Sequence, residues 1–169
     1  MKGFYGRVLY IDLGRKHVEI KRPGDKIYQT YLGGKGLGTW LLHKHNPPGV
    51  DPLSPENCLI FATGPITQSI IWGSSRYGVF TKSPQTGFYA ESYSGGTVAE
   101  YIAATGYDAI ILHGCSEELV WVEISDDTVQ FHSAEQLRGL DAYATEDRIK
   151  EWIGENRPET PKCGVSVVG

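Results

Sequence analysis

The segment 73–96 constrains the fold of this chain most strongly, because strand, turn and helix signals follow one another within it. Residues 76–82 and 88–93 both mix β-branched and aromatic side chains, as strands do. Between them, residues 83–87 contain a proline that fixes φ and a glycine that tolerates positive φ. The pattern predicts a β-hairpin whose second strand ends in a glycine pair and leads directly into a helix over 97–104.

The open end of this hairpin is a candidate anion-binding site. Gly95 and Gly96 lie at the predicted helix N-terminus, where unpaired N–H groups and partial positive charge favour a phosphate. Arg76 begins the first strand, so strand pairing would bring its planar fork of donors close to the glycines. Two structural interpretations stay open beside this one: a solvated arginine on a surface hairpin, and an arginine paired with a cross-strand carboxylate.

Length and composition favour a single globular domain and exclude several classes of function. The chain has 169 residues, of which 40% are hydrophobic and 21% charged, so it can bury a core and is unlike a disordered segment. Its net charge of −4, without any basic run, argues against general nucleic-acid binding. Since no apolar run reaches membrane-spanning length and no signal peptide is recognisable, we expect a soluble, cytoplasmic protein.

The three cysteines are not spaced as a metal site. Cys58, Cys115 and Cys163 are far apart in the sequence, and none belongs to a C-x-x-C pair. We therefore expect that this chain alone holds neither zinc nor an iron–sulfur cluster. In a reducing compartment we interpret all three as buried thiols.

The histidines are more typical of structural than of catalytic positions. His43 and His45 are two residues apart, so on a helix they would point to different faces, which disfavours a shared metal ion. We interpret them as solvated residues at a helix end. His113 lies at the end of a strand pattern, where a catalytic role is open but a structural one is more common.

A glycine cluster over 33–38 contains Lys35 and precedes a predicted helix over 39–45. It does not match the Walker pattern, because no Ser or Thr follows Lys35. It does not match the Rossmann pattern either, because the third glycine is missing. We predict only a glycine kink between two helical pieces, with Lys35 as a weak candidate for an anion contact.

The order of the patterns predicts an α+β fold with mostly antiparallel sheets, because hairpins dominate over strand–helix–strand units. Predicted hairpins cover 7–21, 76–93 and 119–132, single strands cover 58–62, 106–114 and 164–169, and helices cover 25–32, 39–45, 97–104 and 141–154. Asp25 is the expected N-cap of the first helix. The apolar triplet 70–72 lies in a loop, where it is either tucked into the core or exposed to a pocket or partner. Because the chain stops inside its last strand pattern, we expect it to be the front part of a longer protein.

Short sequence phrases spread over nearly the whole chain carry a resemblance to one enzyme family. These phrases lie at 5–7, 12–13, 31–37, 51–57, 64–67, 76–77, 81–84, 86–88, 94–96 and 106–110. Together they resemble the N-terminal domain of the tungsten-containing aldehyde ferredoxin oxidoreductases. The resemblance implies two mostly antiparallel β-sheets, related by a pseudo-twofold repeat, that form a saddle under a bis-pterin cofactor carrying tungsten (or molybdenum).

The resemblance also implies how the chain fits into an enzyme. Residues 1–169 would be the pterin-cradling N-terminal domain, truncated at its C-terminal end. Later helical domains, absent here, would supply the cysteines of a [4Fe-4S] cluster and the channel for the aldehyde. The family oxidises aldehydes to carboxylates and passes the electrons through the cluster to ferredoxin. No catalytic residue is expected within this chain, which should be inactive alone and hold neither iron nor tungsten.

The same resemblance implies a set of cofactor-binding residues. Arg76 would contact a pterin near the cluster. Main-chain groups of Tyr93, Ser94, Gly95 and Gly96 would contact the pterin phosphates and a Mg²⁺ ion that bridges them. Tyr93 replaces an asparagine of the family pattern. A contact from its backbone carbonyl to Mg²⁺ survives this change, whereas a contact that needs the asparagine side chain does not.

Two other functions stay open for the sequence: a stand-alone pterin-binding protein without catalysis, and a β-rich interaction module. The expected partners are ferredoxin, later domains of the same polypeptide and a small aldehyde, with neither nucleic acid nor a membrane among them. Because the apolar loop 70–72 and the end strand 165–168 would be uncovered, we also expect self-association.

Overall fold

A six-stranded mixed sheet forms the centre of the structure, a computed structural model that describes residues 2–125, 128–159 and 162–167. Its strands are β1 (Val8–Asp12), β2 (His17–Lys21), β3 (Leu59–Thr63), β4 (Arg76–Lys82), β5 (Tyr89–Gly95) and β6 (Ala109–His113). They lie in the order β2-β1-β6-β3-β4-β5. In this sheet β1 and β6 are parallel, and the other four neighbouring pairs are antiparallel.

A smaller antiparallel sheet and four helices complete the described fold. The second sheet consists of β7 (Val120–Ile124) and β8 (Val129–Ser133). The helices are α1 (Asp25–Tyr31), α2 (Gly34–His45), α3 (Thr97–Ala104) and α4 (Ala142–Asn156), and a 3-10 turn covers Glu135–Leu137. The α+β class with two mostly antiparallel sheets is therefore confirmed. The loop between β7 and β8, predicted as a turn over 125–127, includes residues 126 and 127, which lie outside the described part.

None of the helices in the described ranges is long and apolar enough to cross a membrane. Instead, the apolar side chains pack in two layers, one on each face of the central sheet. One layer joins the sheet to α1 and α2 and includes Val8, Ile60, Phe80, Ile111, Leu37 and Leu41. The other joins it to the second sheet and includes Leu9, Ile11, Ile110, Val122, Val129 and Phe131. Because β1 is buried on both faces, its sequence is a continuous apolar run rather than an alternating one.

The helix α2 begins at Gly34 and not at the predicted residue 39, so it includes most of the glycine cluster. These glycines permit close packing. A Cβ atom on Gly36 would lie 1.9 Å from the carbonyl oxygen of Tyr31, and one on Gly38 would lie 2.3 Å from Phe80 Cδ2. The helix therefore lies tightly against both the end of α1 and the strand β4.

The predicted cap of α1 is wrong. Asp25 is the first helical residue, Gly24 occupies the N-cap position, and no side chain caps the helix. The extended residue is Gly24, so the helix begins one residue earlier than a cap at Asp25 requires. Within the first turn, the negative charge of Asp25 still matches the helix dipole.

The predicted strand at the end of the chain is also wrong for the residues described there. Residues 164–167 form neither helix nor strand. A Cβ atom on Gly164 would lie 2.8 Å from Tyr101 Cδ2, so this segment packs against α3 rather than extending a sheet. Positions 168 and 169 lie outside the described residues, so the described segment gives no support for self-association through an end strand.

Asp108 forms a buried anchor between the first residues of the chain, α1 and β6. Its carboxylate accepts hydrogen bonds from the backbone N–H groups of Tyr5, Gly6 and Arg7, at 3.0, 2.7 and 3.2 Å. The hydroxyl of Tyr28 donates a fourth, at 2.8 Å, and burial together with this bond raises the pKa of Tyr28. Since a carboxylate that is only 4% exposed needs such donors, the network holds the start of β1 beside β6.

Candidate functional site

The predicted hairpin forms, and it brings the candidate site residues together at its open end. Strands β4 and β5 pair in an antiparallel register that sets Arg76 opposite Gly95. The closed end is a turn over 83–87 whose glycine takes a φ of 72°. Helix α3 begins at Thr97, directly after the glycine pair, as the sequence predicts.

The side chain of Arg76 is exposed and lies against Gly95. A Cβ atom on Gly95 would lie 3.6 Å from Arg76 Cδ and 3.7 Å from its Cζ, so the guanidinium covers the glycine. Within the described residues, the Arg76 side chain forms neither an ion pair nor a hydrogen bond. The interpretation as a cross-strand ion pair is wrong, because the residue that faces Arg76 is a glycine.

The turn at residues 93–96, named the glycine turn below, leaves its main chain open to a ligand. Gly96 is the N-cap of α3 with a φ of 80°, and apart from its two chain neighbours no atom of the described residues lies within 4 Å of the place where its Cβ would be. No side chain caps α3 within the described structure, so its first N–H groups are available to a ligand. The Ser75 hydroxyl donates to the Gly96 carbonyl at 2.6 Å and holds the turn in place.

These features suit a bound anion. A guanidinium without a partner among the described residues, an open glycine and the start of an eight-residue helix meet at one end of the hairpin. The helix N-terminus carries partial positive charge, and the guanidinium offers a planar set of N–H donors. A phosphate group matches both, because it is negatively charged and accepts several hydrogen bonds at once.

Tyr93 contributes its main chain rather than its side chain to the glycine turn. Its hydroxyl donates to Glu91 Oε2 at 3.1 Å, and its ring packs edge-on against Phe80. The side chain therefore points back along β5, away from Gly95. Ser94 is exposed, and by the alternation of the strand its side chain points to the opposite face of the sheet from Arg76. A ligand that contacts Arg76 would therefore lie on the other face of the sheet from the Ser94 side chain.

Lys35 does not lie at an anion site as the sequence suggested, because it already has a carboxylate partner. Its Nζ is 2.8 Å from Glu91 Oε1, and the pair connects α2 to β5. The hydrogen bond from Lys35, and after it the one from the Tyr89 hydroxyl, lowers the pKa of Glu91. The carboxylate is thus ionised and held by two elements of the fold.

A separate cleft of about 320 Å³ lies at the other end of the central sheet from the glycine turn. Its lining combines Pro47 and Ile111 with the side chains of Tyr10, Lys21, His45, Glu56, Cys58 and His113. His45 is half-buried, and its Nε2 is hydrogen-bonded to the Tyr10 hydroxyl. The prediction of a solvated histidine is therefore wrong for His45, whereas His43 is exposed as predicted. Among the described residues, no three His, Cys, Asp or Glu side chains are arranged to hold a metal ion.

Stability is expected to fall between pH 6.5 and 4 in a way that depends on His45. Burial, and after it repulsion from Lys21 and Lys44, lowers the pKa of His45 from 6.5 to about 4. The unfolded chain binds this proton near pH 6.5 and the folded chain only near pH 4. Neutral His45 therefore contributes stability above this window that is lost as the pH falls through it. For a half-buried side chain we expect a loss of about 1–2 kcal/mol after solvent screening.

Urea unfolding at a series of pH values across this window measures the effect. The variant His45→Gln should lose about 1–2 kcal/mol less stability across the window than the parent chain does. His43→Gln, on the exposed side of the same helix, is the control and should keep the parent profile. Equal profiles for the parent and His45→Gln would contradict the expectation.

The cysteines do not share one environment. Cys58 is buried, and its burial raises the pKa of its thiol, as expected for an unreactive cysteine. Cys163 is partly exposed and Cys115 is exposed. The prediction of three buried thiols is therefore correct for Cys58 and wrong for Cys115, which follows β6 in a surface loop.

The apolar triplet 70–72 lies at the surface and not in the core. Ile70 and Trp72 are each 99% exposed, and Ile71 is 54% exposed. Ile66, which precedes them in the same loop, is 49% exposed, and these four residues are named the apolar loop below. An uncovered cluster of this kind is typical of a surface that contacts another protein segment.

Comparisons with known proteins agree on one family. Residues 8–169 match the family described as "Aldehyde ferredoxin oxidoreductase, N-terminal domain". The chain is 40% identical over 164 residues to the tungsten-containing aldehyde ferredoxin oxidoreductase of Thermococcus kodakarensis, and 35% identical to that of Pyrococcus furiosus. Each match covers 97% of this chain and 27% of the relative, so the chain spans about a quarter of the length of these relatives.

Two further comparisons extend the similarity. The chain is 32% identical over 110 residues to the glyceraldehyde-3-phosphate:ferredoxin oxidoreductase of Pyrococcus furiosus. This match covers 63% of this chain and 16% of the relative. The solved structure of the active site complex BamBC of benzoyl coenzyme A reductase, in complex with 1,5-dienoyl-CoA, has a similar fold. Its TM-score is 0.87 at 38% sequence identity, over 92% of this chain and 24% of that one.

Proposed function

The chain belongs to the aldehyde ferredoxin oxidoreductase family, whose N-terminal domain it matches, and on this premise we propose that it cradles a tungsten–pterin cofactor. In this proposal residues 1–169 form the cofactor-binding domain, and other parts of a longer oxidoreductase complete the enzyme. The observation that supports it most is the guanidinium of Arg76, without a partner among the described residues, beside the open glycine turn. The relatives named for tungsten support the choice of metal.

The binding roles follow from the arrangement of the hairpin end. Arg76 binds a pterin or its phosphate through its planar guanidinium. The N–H groups at the start of α3 and the main chain of Ser94, Gly95 and Gly96 bind the phosphates, because these glycines permit close approach. The backbone carbonyl of Tyr93 would hold a Mg²⁺ ion beside the phosphates. The domain thus binds and orients the cofactor, and we assign no acid or base to its side chains.

The bound tungsten (or molybdenum) bis-pterin would supply the two-electron oxidation of a small aldehyde to a carboxylate, with electrons leaving through a [4Fe-4S] cluster to ferredoxin. The cluster ligands lie outside this chain in our proposal, since the described residues hold no group of side chains arranged for a metal ion. The proposed partners are therefore ferredoxin, later domains of the same polypeptide and the aldehyde. The proposed location is the cytoplasm.

The variant Arg76→Ala tests the proposal in the whole polypeptide that contains this chain, produced with tungstate. Charge-assisted hydrogen bonds contribute about 1.5–3 kcal/mol each, so the affinity for the cofactor should fall by about tenfold or more. Thermal stability of the metal-free protein should stay unchanged, because Arg76 has no partner among the described residues. Tungsten per polypeptide, measured by mass spectrometry of the purified protein, is the quantity to compare.

The matched control is Arg22→Ala, because Arg22 is also exposed and also has no ion pair or hydrogen bond within the described part of the chain. This variant should retain as much tungsten as the parent. Arg76→Lys keeps the charge but loses the planar fork, and we expect an intermediate tungsten content. Equal tungsten in the parent and in Arg76→Ala would remove Arg76 from the site.

The apolar loop supports a second candidate function, that of a domain which acts by docking rather than by binding a cofactor. Ile70 and Trp72 are almost fully exposed, and a later domain of the same polypeptide or a second copy of the chain would cover them. The tungsten measurement separates the two candidates. If the parent polypeptide retains no tungsten or molybdenum when both are supplied, the docking function becomes the better conclusion.

A further inference from the structure

We propose that Glu91 is a positioning residue that holds the Tyr93 side chain away from the glycine turn and so keeps the turn open for its anionic ligand. The inference rests on the proposed function of that turn. It concerns a residue two positions before Tyr93 on β5, on the face of the sheet that also carries Arg76. In this proposal Glu91 does not contact the ligand, and it acts on the turn through the side chain of Tyr93.

Glu91 is the acceptor at the centre of a small polar network. Lys35 Nζ donates to its Oε1 at 2.8 Å, and the Tyr89 hydroxyl donates to its Oε2 at 2.7 Å. The Tyr93 hydroxyl donates to the same Oε2 at 3.1 Å. Tyr89 is in turn hydrogen-bonded to Thr39 Oγ1 at 2.8 Å, so α2 fixes the position of the carboxylate from two sides.

The network determines the direction of the Tyr93 ring. The ring lies across Gly78, where a Cβ atom would be 3.1 Å from Tyr93 Cε1, and its centroid is 6.1 Å from that of Phe80. In this direction the hydroxyl reaches Glu91. The glycine at position 78 is thus needed to give the ring its place over β4.

If the Tyr93 side chain pointed the other way along β5, away from Glu91, its ring would reach the proposed binding site. The next residue of β5 on this face is Gly95, which has no side chain to exclude the ring. Arg76 faces Gly95 and is therefore the diagonal cross-strand neighbour of Tyr93, a distance that aromatic and long side chains can span. A tyrosine released from Glu91 can lie over the Arg76 guanidinium as a cation–π pair and compete with an anion for it.

The ion pair with Lys35 also prevents the Glu91 carboxylate from repelling an anionic ligand at the glycine turn. A lone anionic side chain on the same face as Arg76 would repel a phosphate, but Lys35 balances the charge of Glu91 at 2.8 Å. The tyrosine is therefore held by a strong acceptor without an excess of negative charge beside the turn. The hydrogen bond to Glu91 therefore explains how a tyrosine side chain is accommodated at position 93, where only the main chain contributes to the turn.

The test compares tungsten and magnesium content in variants of the whole polypeptide. Glu91→Ala should lower both by about tenfold, the lower end of what loss of an outer partner costs in metal affinity. The double variant Glu91→Ala/Tyr93→Ala should regain the content of Tyr93→Ala alone, because no ring is left to obstruct the turn. Glu91→Gln keeps an acceptor oxygen and should fall between the parent and Glu91→Ala.

The control is Glu117→Ala, which removes an exposed glutamate from the loop between β6 and β7, outside the network of Glu91. It should bind metal as the parent does. A Glu91→Ala protein with parent metal content, or a double variant as poor as Glu91→Ala, would overturn the proposed role of Glu91. A parent that binds no tungsten would instead overturn the proposed function of the turn.

A crystal structure of the Glu91→Ala polypeptide supplies a readout that does not depend on bound metal. We expect the Tyr93 ring to leave Gly78 and to lie over Arg76. A ring that stays in its parent position would refute the inference even where the metal content has changed, because Glu91 would then act by another route.

Discussion

Replacing Asp108 with alanine is expected to lower the free energy of unfolding by about 4 kcal/mol, because four hydrogen-bond donors would lose one buried acceptor. Three of these donors are the backbone N–H groups of residues 5–7, and the fourth is the Tyr28 hydroxyl. Water that enters the site can satisfy only some of them. Urea or thermal unfolding of the variant measures the loss.

The control for this prediction is Asp141→Ala, which removes the same side chain from a simpler setting. Asp141 is exposed and caps α4 through one hydrogen bond, from Ala144 N at 2.8 Å, so its loss should cost only about 1 kcal/mol. Asp108→Asn keeps one acceptor oxygen but turns an NH₂ group towards the donors. We expect this variant to lose about 2–3 kcal/mol of the free energy of unfolding. Similar losses for Asp108→Ala and Asp141→Ala would show that the Asp108 network does not stabilise the fold as inferred.

Replacing Gly38 with alanine is expected to destabilise the fold by about 3 kcal/mol, although alanine favours a helix more than glycine does. The added Cβ would lie 2.3 Å from Cδ2 and 2.4 Å from Cε2 of the Phe80 ring. Phe80 is fully buried in the layer between α2 and the central sheet, so its rigid ring has little space to move. The helix would have to shift away from β4, which carries Arg76.

Gly154→Ala, in the helix α4, separates the packing effect from the helix preference. In the part of the chain that the structure describes, a Cβ atom on Gly154 would meet no atom within 4 Å outside the backbone of α4, so this change should stabilise the protein by about 0.5–1 kcal/mol. Chemical denaturation of both variants gives the comparison. A Gly38→Ala protein at least as stable as the parent would mean that α2 does not pack on Phe80 as described.

Local sequence patterns were sufficient for the elements that build the candidate site. The turn residues 83–87 and the flanking strand patterns predicted the hairpin, and both β4 (76–82) and α3 (97–104) have the predicted bounds. These elements are specified by the conformational preferences of neighbouring residues, which act over a few positions. The convergence of Arg76 with the glycine turn followed directly, because an antiparallel hairpin brings its two outer ends together.

Local patterns failed where a residue is explained by a distant neighbour. The predicted break between two helical pieces exists at residues 32–33, but Gly38 lies inside α2, where the ring of Phe80 on β4 leaves no space for a side chain. His45 resembled a solvated helix end until Tyr10 of β1 was placed beside it. In both cases the sequence near the residue holds no sign of the element that packs on it.

The sequence by itself determined most of the strands and helices, and it determined that the hairpin ends in a glycine pair directly before a helix. Only the tertiary structure decided the parallel pairing of β1 with β6, the burial of Asp108 under residues 5–7 and the ion pair that connects Lys35 to Glu91. Residues 108 and 6 are separated by 102 positions, and a carboxylate has the same side chain whether it meets water, a lysine or three backbone donors. The partner is selected by the way in which the whole chain closes its core, because only there does the loss of water make each hydrogen bond necessary.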